Sequence, residues 1–269
     1  MIAMRTVVLS FVLLVVSVLA AQAAPATSRC LAVADVGPRV VPAAFRPAAL
    51  KETEVRLTFV GHSTFLIETP GGIRIATDYA GWAGRGVIPD VVTMNHAHET
   101  HYTDYPDPKI GHVLRGWNPE GGHAAHDLTV GDVRIRSVPT NIRVWGTGET
   151  EAFGNSIFIF EVAGLCIGHL GHLQHEPTVQ QLGQIGQLDV VLVPVDGVYT
   201  MDHAGMVATL KKLHARLIVP MHYFDSLTLG LFLEKVKGTF AVRTSEVATT
   251  VLSRATLPAD PQVLVLPGY

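Results

Sequence analysis

Short apolar runs separated by glycine-rich turns begin the regular part of this chain. Runs of four to nine residues bounded by turn residues are typical of β-strands. The pattern predicts strands at 56–60, 63–68, 72–76, 91–94, 130–138, 156–162, 165–168, 190–194 and 217–221. Residues 102–128 contain Pro, Gly, Trp and His without a period, and they are predicted to form a long loop.

Helical periodicity appears only in the second half, where it predicts helices at 177–185, 204–215 and 227–237. Pro177 suits a first helical turn, and Gly238 suits the position after a last one. Strands therefore come first as meanders and then alternate with helices. That order predicts an α/β fold with layered sheets inside, in one domain over residues 53–269.

The first 23 residues have the pattern of a secretory signal peptide. Arg5 precedes an apolar run from 6 to 20, and Ala21-Gln-Ala23 matches a small-x-small cleavage site. The run is shorter than the roughly 20 residues of a membrane span, although an uncleaved anchor is the alternative. Residues 24–52 are predicted to form an extended arm. We therefore expect a periplasmic or secreted protein with no membrane span after cleavage.

Composition narrows the class of partner. The net charge is −3, and removing residues 1–23 takes away one Arg and no acid, which leaves −4. No basic stripe is present, which argues against nucleic acid and favours a small-molecule substrate. Cys30 and Cys166 would meet an oxidising compartment after export. They could pair, but burial of Cys166 as a free thiol in an apolar run is the preferred interpretation.

The stretch Asn95-His-Ala-His-Glu-Thr-His101 carries the strongest chemical signal. Its histidines lie at i, i+2 and i+5, just after the predicted strand 91–94. Side chains at i and i+2 of an extended segment point the same way, so His96 and His98 could share one ion. Further histidines follow two later strands, at 169–175 and at His222. Imidazole is the commonest metal ligand, so the sequence predicts a metal site at these strand ends.

The motifs Gly61-His-Ser-Thr-Phe-Leu-Ile-Glu68, Ala76-Thr-Asp78, the histidine stretch and 218–223 together resemble the metallo-β-lactamase superfamily. The similar branch contains L-ascorbate-6-phosphate lactonase, and the resemblance covers about residues 55–225. It implies a four-layer αβ/βα sandwich with one or two divalent transition metal ions at one edge. Zn is the favoured ion, with Mn or Fe as alternatives. The family's chemistry is hydrolysis of esters, lactones, amides or phosphodiesters.

Three positions depart from the family pattern. Thr100 stands where an aspartate binds the second ion, Asn141 stands in a histidine slot, and His172 stands where a bridging carboxylate is expected. Without that negative charge, two adjacent dications are less favourable than one. The predicted ligands are three or four of His96, His98, His101, His172 and His222. Water on the ion would be the nucleophile, since a bound dication lowers its pKa.

Other side chains receive weaker predictions. Asp104 is a candidate base, although a solvated loop carboxylate is the preferred interpretation. His62 is expected to make a structural hydrogen bond and not to bind metal. Residues expected near the ligands or the substrate are Asp78, Thr100, Asn141, His169, His175 and Tyr223.

The altered motif leaves three functions open. The favoured one is a secreted metallo-hydrolase. The alternatives are a non-catalytic periplasmic protein that binds metal or ligand on the same scaffold, and an iron-dependent redox enzyme.

Overall fold

A six-stranded sheet leads into the histidine stretch, which begins directly after its fourth strand. The computed structural model describes Ser28, Cys30, Leu31, residues 50–144 and residues 146–268. The strands of the six-stranded sheet are β1 Val55–Gly61, β2 Thr64–Glu68, β3 Arg74–Ala76, β4 Val91–Met94 and β5 His112–Arg115, and the later β13 Thr249–Leu252 forms the edge beside β1. The spatial order is β13-β1-β2-β3-β4-β5.

A second sheet of eight strands faces the first. It contains β6 Asp127–Val130, β7 Val133–Arg143, β8 Thr150–Val162, β9 Leu165–His169, β10 Val190–Pro194, β11 Leu217–Met221, β12 Ala241–Thr244 and β14 Gln262–Val265. The order is β12-β14-β11-β10-β9-β8-β7-β6. β9, β10 and β11 are mutually parallel, so their carboxyl ends lie at one edge.

Three helices cover the outer face of the second sheet: α1 Val179–Ile185, α2 His203–Leu213 and α3 Ser226–Val236. Each begins at a side-chain cap, with Thr178, Asp202 and Asp225 accepting from backbone N–H groups of the first turn. Such caps satisfy donors that the helix leaves unpaired. All three predicted helices are confirmed, with small differences at their ends.

The core follows the period-two alternation of the strands. In β10, Val190 and Leu192 pack into the space between the sheets, whereas Val191 and Val193 pack against the helices. The sheets therefore need apolar residues on both faces, which explains the unbroken apolar runs in the sequence. No helix in the described part of the chain is long and apolar enough to cross a membrane.

The α/β sandwich is confirmed, but one outer layer differs from the four-layer prediction. Among the described residues, the outer face of the six-stranded sheet is covered by loop residues and not by helices. Tyr79, Ala83 and Ile110 pack there on Ala76 and Met94. This loop layer includes Ile110, which lies in the long loop predicted at 102–128.

Two further findings correct the sequence interpretation. The strands β5, β6, β12, β13 and β14 were not predicted; each is four residues long, and all of β12 is solvent-exposed. Cys30 and Cys166 form a disulfide, so the preferred free-thiol interpretation is wrong. The signal peptide and most of the predicted arm lie outside the described residues.

Candidate metal centre

Five histidines converge where strands of both sheets end. His62 lies in the β1–β2 turn, His98 and His101 follow β4, and His172 and His222 follow β9 and β11. The candidate ligand nitrogens of His62, His98, His101 and His222 all lie within 4.8 Å of one another. The ring of His172 is centred 4.9–5.1 Å from the rings of His98, His101 and His222. We call these five residues the histidine cluster.

The segment after β4 folds back on itself and does not continue as a strand. The His101 N–H donates to the His98 carbonyl at 2.8 Å, and the Asn95 N–H donates to the His101 carbonyl at 3.2 Å. This turn brings His98 and His101 to the same place, with ring centres 4.5 Å apart. It also invalidates the same-side argument for His96, because that argument requires an extended backbone.

His96 accordingly lies apart from the histidine cluster, contrary to its predicted role as a ligand. Its Nδ1 donates to Glu151 Oε1 at 2.7 Å, and its ring stacks on Trp117 with centres 5.0 Å apart. The side chain remains 40% exposed. The structure thus gives His96 a packing role beside the β7–β8 hairpin.

His101 is held by a buried carboxylate. Its Nδ1–H donates to Asp78 Oδ2 at 2.6 Å, and both side chains are fully buried. Asn95 donates from Nδ2 to the other Asp78 oxygen at 2.8 Å and accepts from the Ser156 N–H at 2.7 Å. Burial raises the pKa of Asp78, an effect opposed by His169 and by the Asn95 hydrogen bond. This network leaves Nε2 of His101 as the free ring nitrogen.

His222 faces a second buried carboxylate. Its Nδ1 lies 3.0 Å from Asp196 Oδ2, although the two are poorly aligned for a hydrogen bond. Burial raises the pKa of Asp196, but interactions with His222 and Thr200 outweigh burial and hold that pKa below its usual range. Because the Asp196 anion faces Nδ1, the proton of a neutral His222 ring belongs on Nδ1.

The two free nitrogens meet. His101 Nε2 and His222 Nε2 are 3.1 Å apart. With both protons on Nδ1, the tautomer that the two carboxylates favour, two lone pairs point at each other in a buried space. That arrangement is unfavourable unless a cation lies between them. Tetrahedral ligands at about 2.0–2.1 Å from a Zn ion are themselves about 3.3 Å apart, so the spacing suits such an ion.

The partly buried His98 and His62 complete the group of four. The Thr100 hydroxyl contacts Nδ1 of His98 at 2.8 Å, which directs the other ring nitrogen to the cluster. Nε2 of His62 is buried without any hydrogen-bond partner. Sequence reasoning assigned His62 a structural hydrogen bond, and the ring makes none at Nε2.

Burial favours the neutral form of four imidazoles in the cluster. Burial, with the neighbouring His222 and His98, lowers the pKa of His62 to about 3. Burial and His222 lower the pKa of His98, and burial with the adjacent imidazoles lowers those of His101 and His172 well below the usual value. Neutral imidazoles with free lone pairs are the form that binds metal.

His172 is placed by a glycine turn. Gly171 has φ +59, and a Cβ there would lie 2.3 Å from Asn155 Oδ1 and 2.4 Å from Asn95 Nδ2. The same Asn155 oxygen accepts from the His172 N–H at 2.8 Å. Nε2 of His172 is buried and lacks a hydrogen-bond partner, as in His62. His172 is therefore available as an additional ligand.

The remaining predicted residues have other contacts. His169 donates from Nε2 to the Ser63 carbonyl at 2.8 Å and accepts at Nδ1 from Gly171, so both nitrogens are used. His175 Nε2 accepts from the Asn141 N–H at 3.1 Å. The Tyr223 hydroxyl donates to the Leu266 carbonyl at 3.2 Å.

Two more predicted residues lie outside the cluster. Asn141 Oδ1 accepts from the Phe153 N–H across the β7–β8 hairpin at 3.1 Å. Asp104 is exposed, and no described contact joins it to the cluster. Sequence reasoning did not single out Asn95, Asn155 or Asp196. Asp196 lies two residues beyond the end of β10, and a carboxylate just after a buried strand is the signal that could have identified it.

Comparison with known proteins agrees with this fold. Residues 56–222 match the model of the beta-lactamase superfamily domain. Proteins from Methanoculleus marisnigri and Methanosphaerula palustris, each called UPF0173 metal-dependent hydrolase, are each 26% identical. The match to the Methanoculleus marisnigri protein covers 74% of this chain and 94% of that relative. The match to the Methanosphaerula palustris protein covers 63% of this chain and 84% of that relative.

A solved structure gives the same result. A Thermotoga maritima protein of the metallo-beta-lactamase superfamily superposes with a TM-score of 0.58 at 28% identity, over 80% of this chain and all of that one. The family model matches more than half of the residues of this chain, so the chain belongs to the beta-lactamase superfamily. The match to the Thermotoga structure identifies it with the metallo-β-lactamases of that superfamily. Its relatives carry the name UPF0173 and not that of the predicted lactonase branch.

Proposed function

We propose that this protein is a metal-dependent hydrolase that holds one divalent transition metal ion in the histidine cluster. One observation carries the proposal: Nε2 of His101 and Nε2 of His222 face each other at 3.1 Å while each Nδ1 faces a buried carboxylate. The curated relatives bear the name metal-dependent hydrolase, which supports the reaction class.

The proposed ligands are His98, His101 and His222, with His62 or His172 as a fourth. Asp78, Asp196 and Thr100 orient the ligand rings from the opposite nitrogen, as partners of metal-bound imidazoles usually do. Three ligands leave an open position, whereas four imidazoles would close a tetrahedral site. If a fourth histidine bound the ion, no position would remain open for water or substrate, so catalysis requires that only three histidines bind it.

Charge supports one ion in place of two. Imidazoles that bind a metal carry no charge, and the two carboxylates against the cluster are Asp78 and Asp196. Two buried anions balance one dication, whereas a second dication would lack a compensating charge. Zn suits an all-nitrogen set, and Mn prefers oxygen ligands. We therefore propose a single Zn ion.

A bound ion of this kind would act as a Lewis acid and make water acidic enough to attack at neutral pH. The chain itself would keep the imidazoles neutral, fix their orientation and exclude bulk water from His101 and His222. The proposed substrates are esters, lactones, amides or phosphoesters, which include the lactones of the predicted branch.

The test is hydrolysis of a panel of these four bond types by protein purified without chelators. His101→Ala should abolish turnover, and His96→Ala, which changes a histidine outside the cluster, should retain it. Metal bound without turnover on any substrate would favour the alternative, a non-catalytic metal-binding protein.

We also propose that the protein is exported. The Cys30–Cys166 disulfide supports this, because disulfides persist mainly in oxidising compartments. Mass analysis of the mature chain from a periplasmic extract should show a new amino terminus at residue 24. An intact residue 1 in the membrane fraction would support an uncleaved anchor instead.

A further inference from the structure

Aromatic side chains stand exposed directly beside the histidine cluster. The Phe224 ring is centred 5.7 Å from that of His222 and 5.9 Å from that of His62. The Tyr199 ring meets it edge-on at 5.5 Å. Phe224 is 58% exposed, although it lies two residues from a fully buried ligand candidate. Both rings thus border the site from the solvent side.

The apolar surface continues along α3. Leu227 and Leu231 are 70% and 54% exposed, and their spacing of four residues places them on one side of the helix. The opposite side buries Phe232 and Val236 in the core. The solvent face of this helix therefore carries two large apolar residues ahead of the exposed Glu234 and Lys235, where an amphipathic surface helix is polar throughout. Contiguous exposed apolar residues of this kind usually mark a binding surface.

The loop that carries Tyr199 is fixed by the carboxylate that also faces His222. Asp196 Oδ1 accepts from the backbone N–H groups of Val198 at 2.9 Å and Thr200 at 3.2 Å. The Thr200 hydroxyl donates to Asp196 Oδ2 at 2.5 Å. One residue therefore positions both a ligand candidate and the apolar surface, which keeps their separation constant.

A second anchor joins this loop to His172. Gln174 Nε2 donates to the Tyr199 carbonyl at 2.6 Å and lies 3.2 Å from His172 Nδ1. Arg143 donates to the Thr200 carbonyl at 3.1 Å. Because this loop is held at several points, it loses little conformational entropy when a ligand binds. A surface fixed in this way can select substrates by shape.

We propose that Val198, Tyr199, Phe224, Leu227 and Leu231 form an apolar wall that binds the acyl or alkyl chain of the substrate. The inference rests on the proposed hydrolase and names its substrate class: compounds in which a linear hydrocarbon chain adjoins the bond to be cleaved. Phe224 contacts the chain nearest the site, and Leu227 and Leu231 contact its distal part.

The test measures binding of butyrate, hexanoate and octanoate by calorimetry. Burying a methylene group strengthens binding about threefold to fourfold, so octanoate should bind roughly tenfold more tightly than hexanoate. The methylenes nearer the site distinguish hexanoate from butyrate, so the parent protein should also bind hexanoate roughly tenfold more tightly than butyrate. In Phe224→Ser this hexanoate-to-butyrate ratio should fall to about threefold or less, and Phe224→Leu should restore most of it. Val242→Ser is the matched control. Val242 is also exposed, but it pairs with Val263 near the starts of the strands, away from His222.

The second measurement compares hydrolysis of nitrophenyl butyrate and nitrophenyl octanoate. A preference for octanoate that Phe224→Ser removes would support the wall. Equal rates for both esters, unchanged in Phe224→Ser, would overturn it and leave the hydrolase intact. Chain-length-dependent binding without turnover would refute the hydrolase and support the wall. Binding to phosphatidylcholine vesicles without octanoate binding would overturn the wall in favour of a membrane-facing surface.

Discussion

The Thr100 hydroxyl lies 2.8 Å from Nδ1 of His98 and so holds a neighbouring ligand candidate in place. The family pattern expects a metal-binding carboxylate at position 100. Here the side chain is exposed and reaches the cluster through His98. Thr100 thus contacts a ligand candidate where the family pattern has a metal-binding carboxylate, which supports the proposal of one ion.

Removing this hydroxyl should weaken metal binding. Thr100→Val keeps the shape of the side chain but frees the His98 ring to rotate. Loss of such a partner typically costs 10-fold to 100-fold in affinity, and we expect about tenfold because Thr100 is exposed. Competition with a chelator measures the change. Thr100→Ser should stay close to the parent protein, and an affinity unchanged in Thr100→Val would refute the orienting role.

Gly171 should not tolerate a side chain. Gly171→Ala would force a residue with a Cβ into φ +59 and press it against Asn155 and Asn95. We expect a loss of about 2–4 kcal/mol in the free energy of unfolding, measured in urea. Gly183→Ala is the matched control: a Cβ there meets nothing within 4 Å. Because Gly183 is helical, that change should stabilise by about 0.5–1 kcal/mol. Equal effects would count against the strained turn.

The metal-free protein should lose stability in mild acid. The pKa of His62 is about 3 in the fold and 6.5 without it, so the unfolded chain binds the extra proton between those values. The free energy of unfolding contributed by His62 is complete above about pH 6.5 and falls by up to about 1.4 kcal/mol per pH unit below it. His62→Gln should flatten the pH dependence over this window. Identical slopes for the two proteins in urea titrations would contradict the burial of a neutral His62.

The disulfide should contribute to stability. Cys30 and Cys166 are 136 residues apart, and closing a loop of that length is expected to add about 2–5 kcal/mol. We expect the Cys30→Ser, Cys166→Ser double variant to unfold at lower urea by that amount. The parent protein with reductant should behave like the double variant. A parent midpoint that does not respond to reductant would argue against the bond.

Much of the fold is predictable because buried strands need apolar residues on both faces. Strands such as β10 and β11 appear in the sequence as unbroken apolar runs with turn residues at each end. β12 is different: all four of its residues are exposed, so it has no apolar period to detect. Its pairing with β14 is a contact between distant parts of the chain, which local patterns cannot show.

The candidate site was only partly predictable for a similar reason. The positions of His98, His101, His172 and His222 just after predicted strands correctly predicted that these four residues are neighbours. His96 was misplaced because a local turn, held by hydrogen bonds from Asn95 and His101, replaces the expected extended backbone. The ligand roles themselves remain predictions. His62 approaches the cluster only through the packing of the β1–β2 turn against the end of β11, where its carbonyl accepts from the His222 N–H.

Elemental analysis of protein purified without chelators shows whether the histidine cluster holds a metal ion. We expect about one equivalent of a divalent transition metal in the parent protein and in His96→Ala. The His101→Ala, His222→Ala double variant should contain none while keeping its circular dichroism spectrum. Metal retained by the folded double variant, or lost from His96→Ala alone, would contradict the proposed centre.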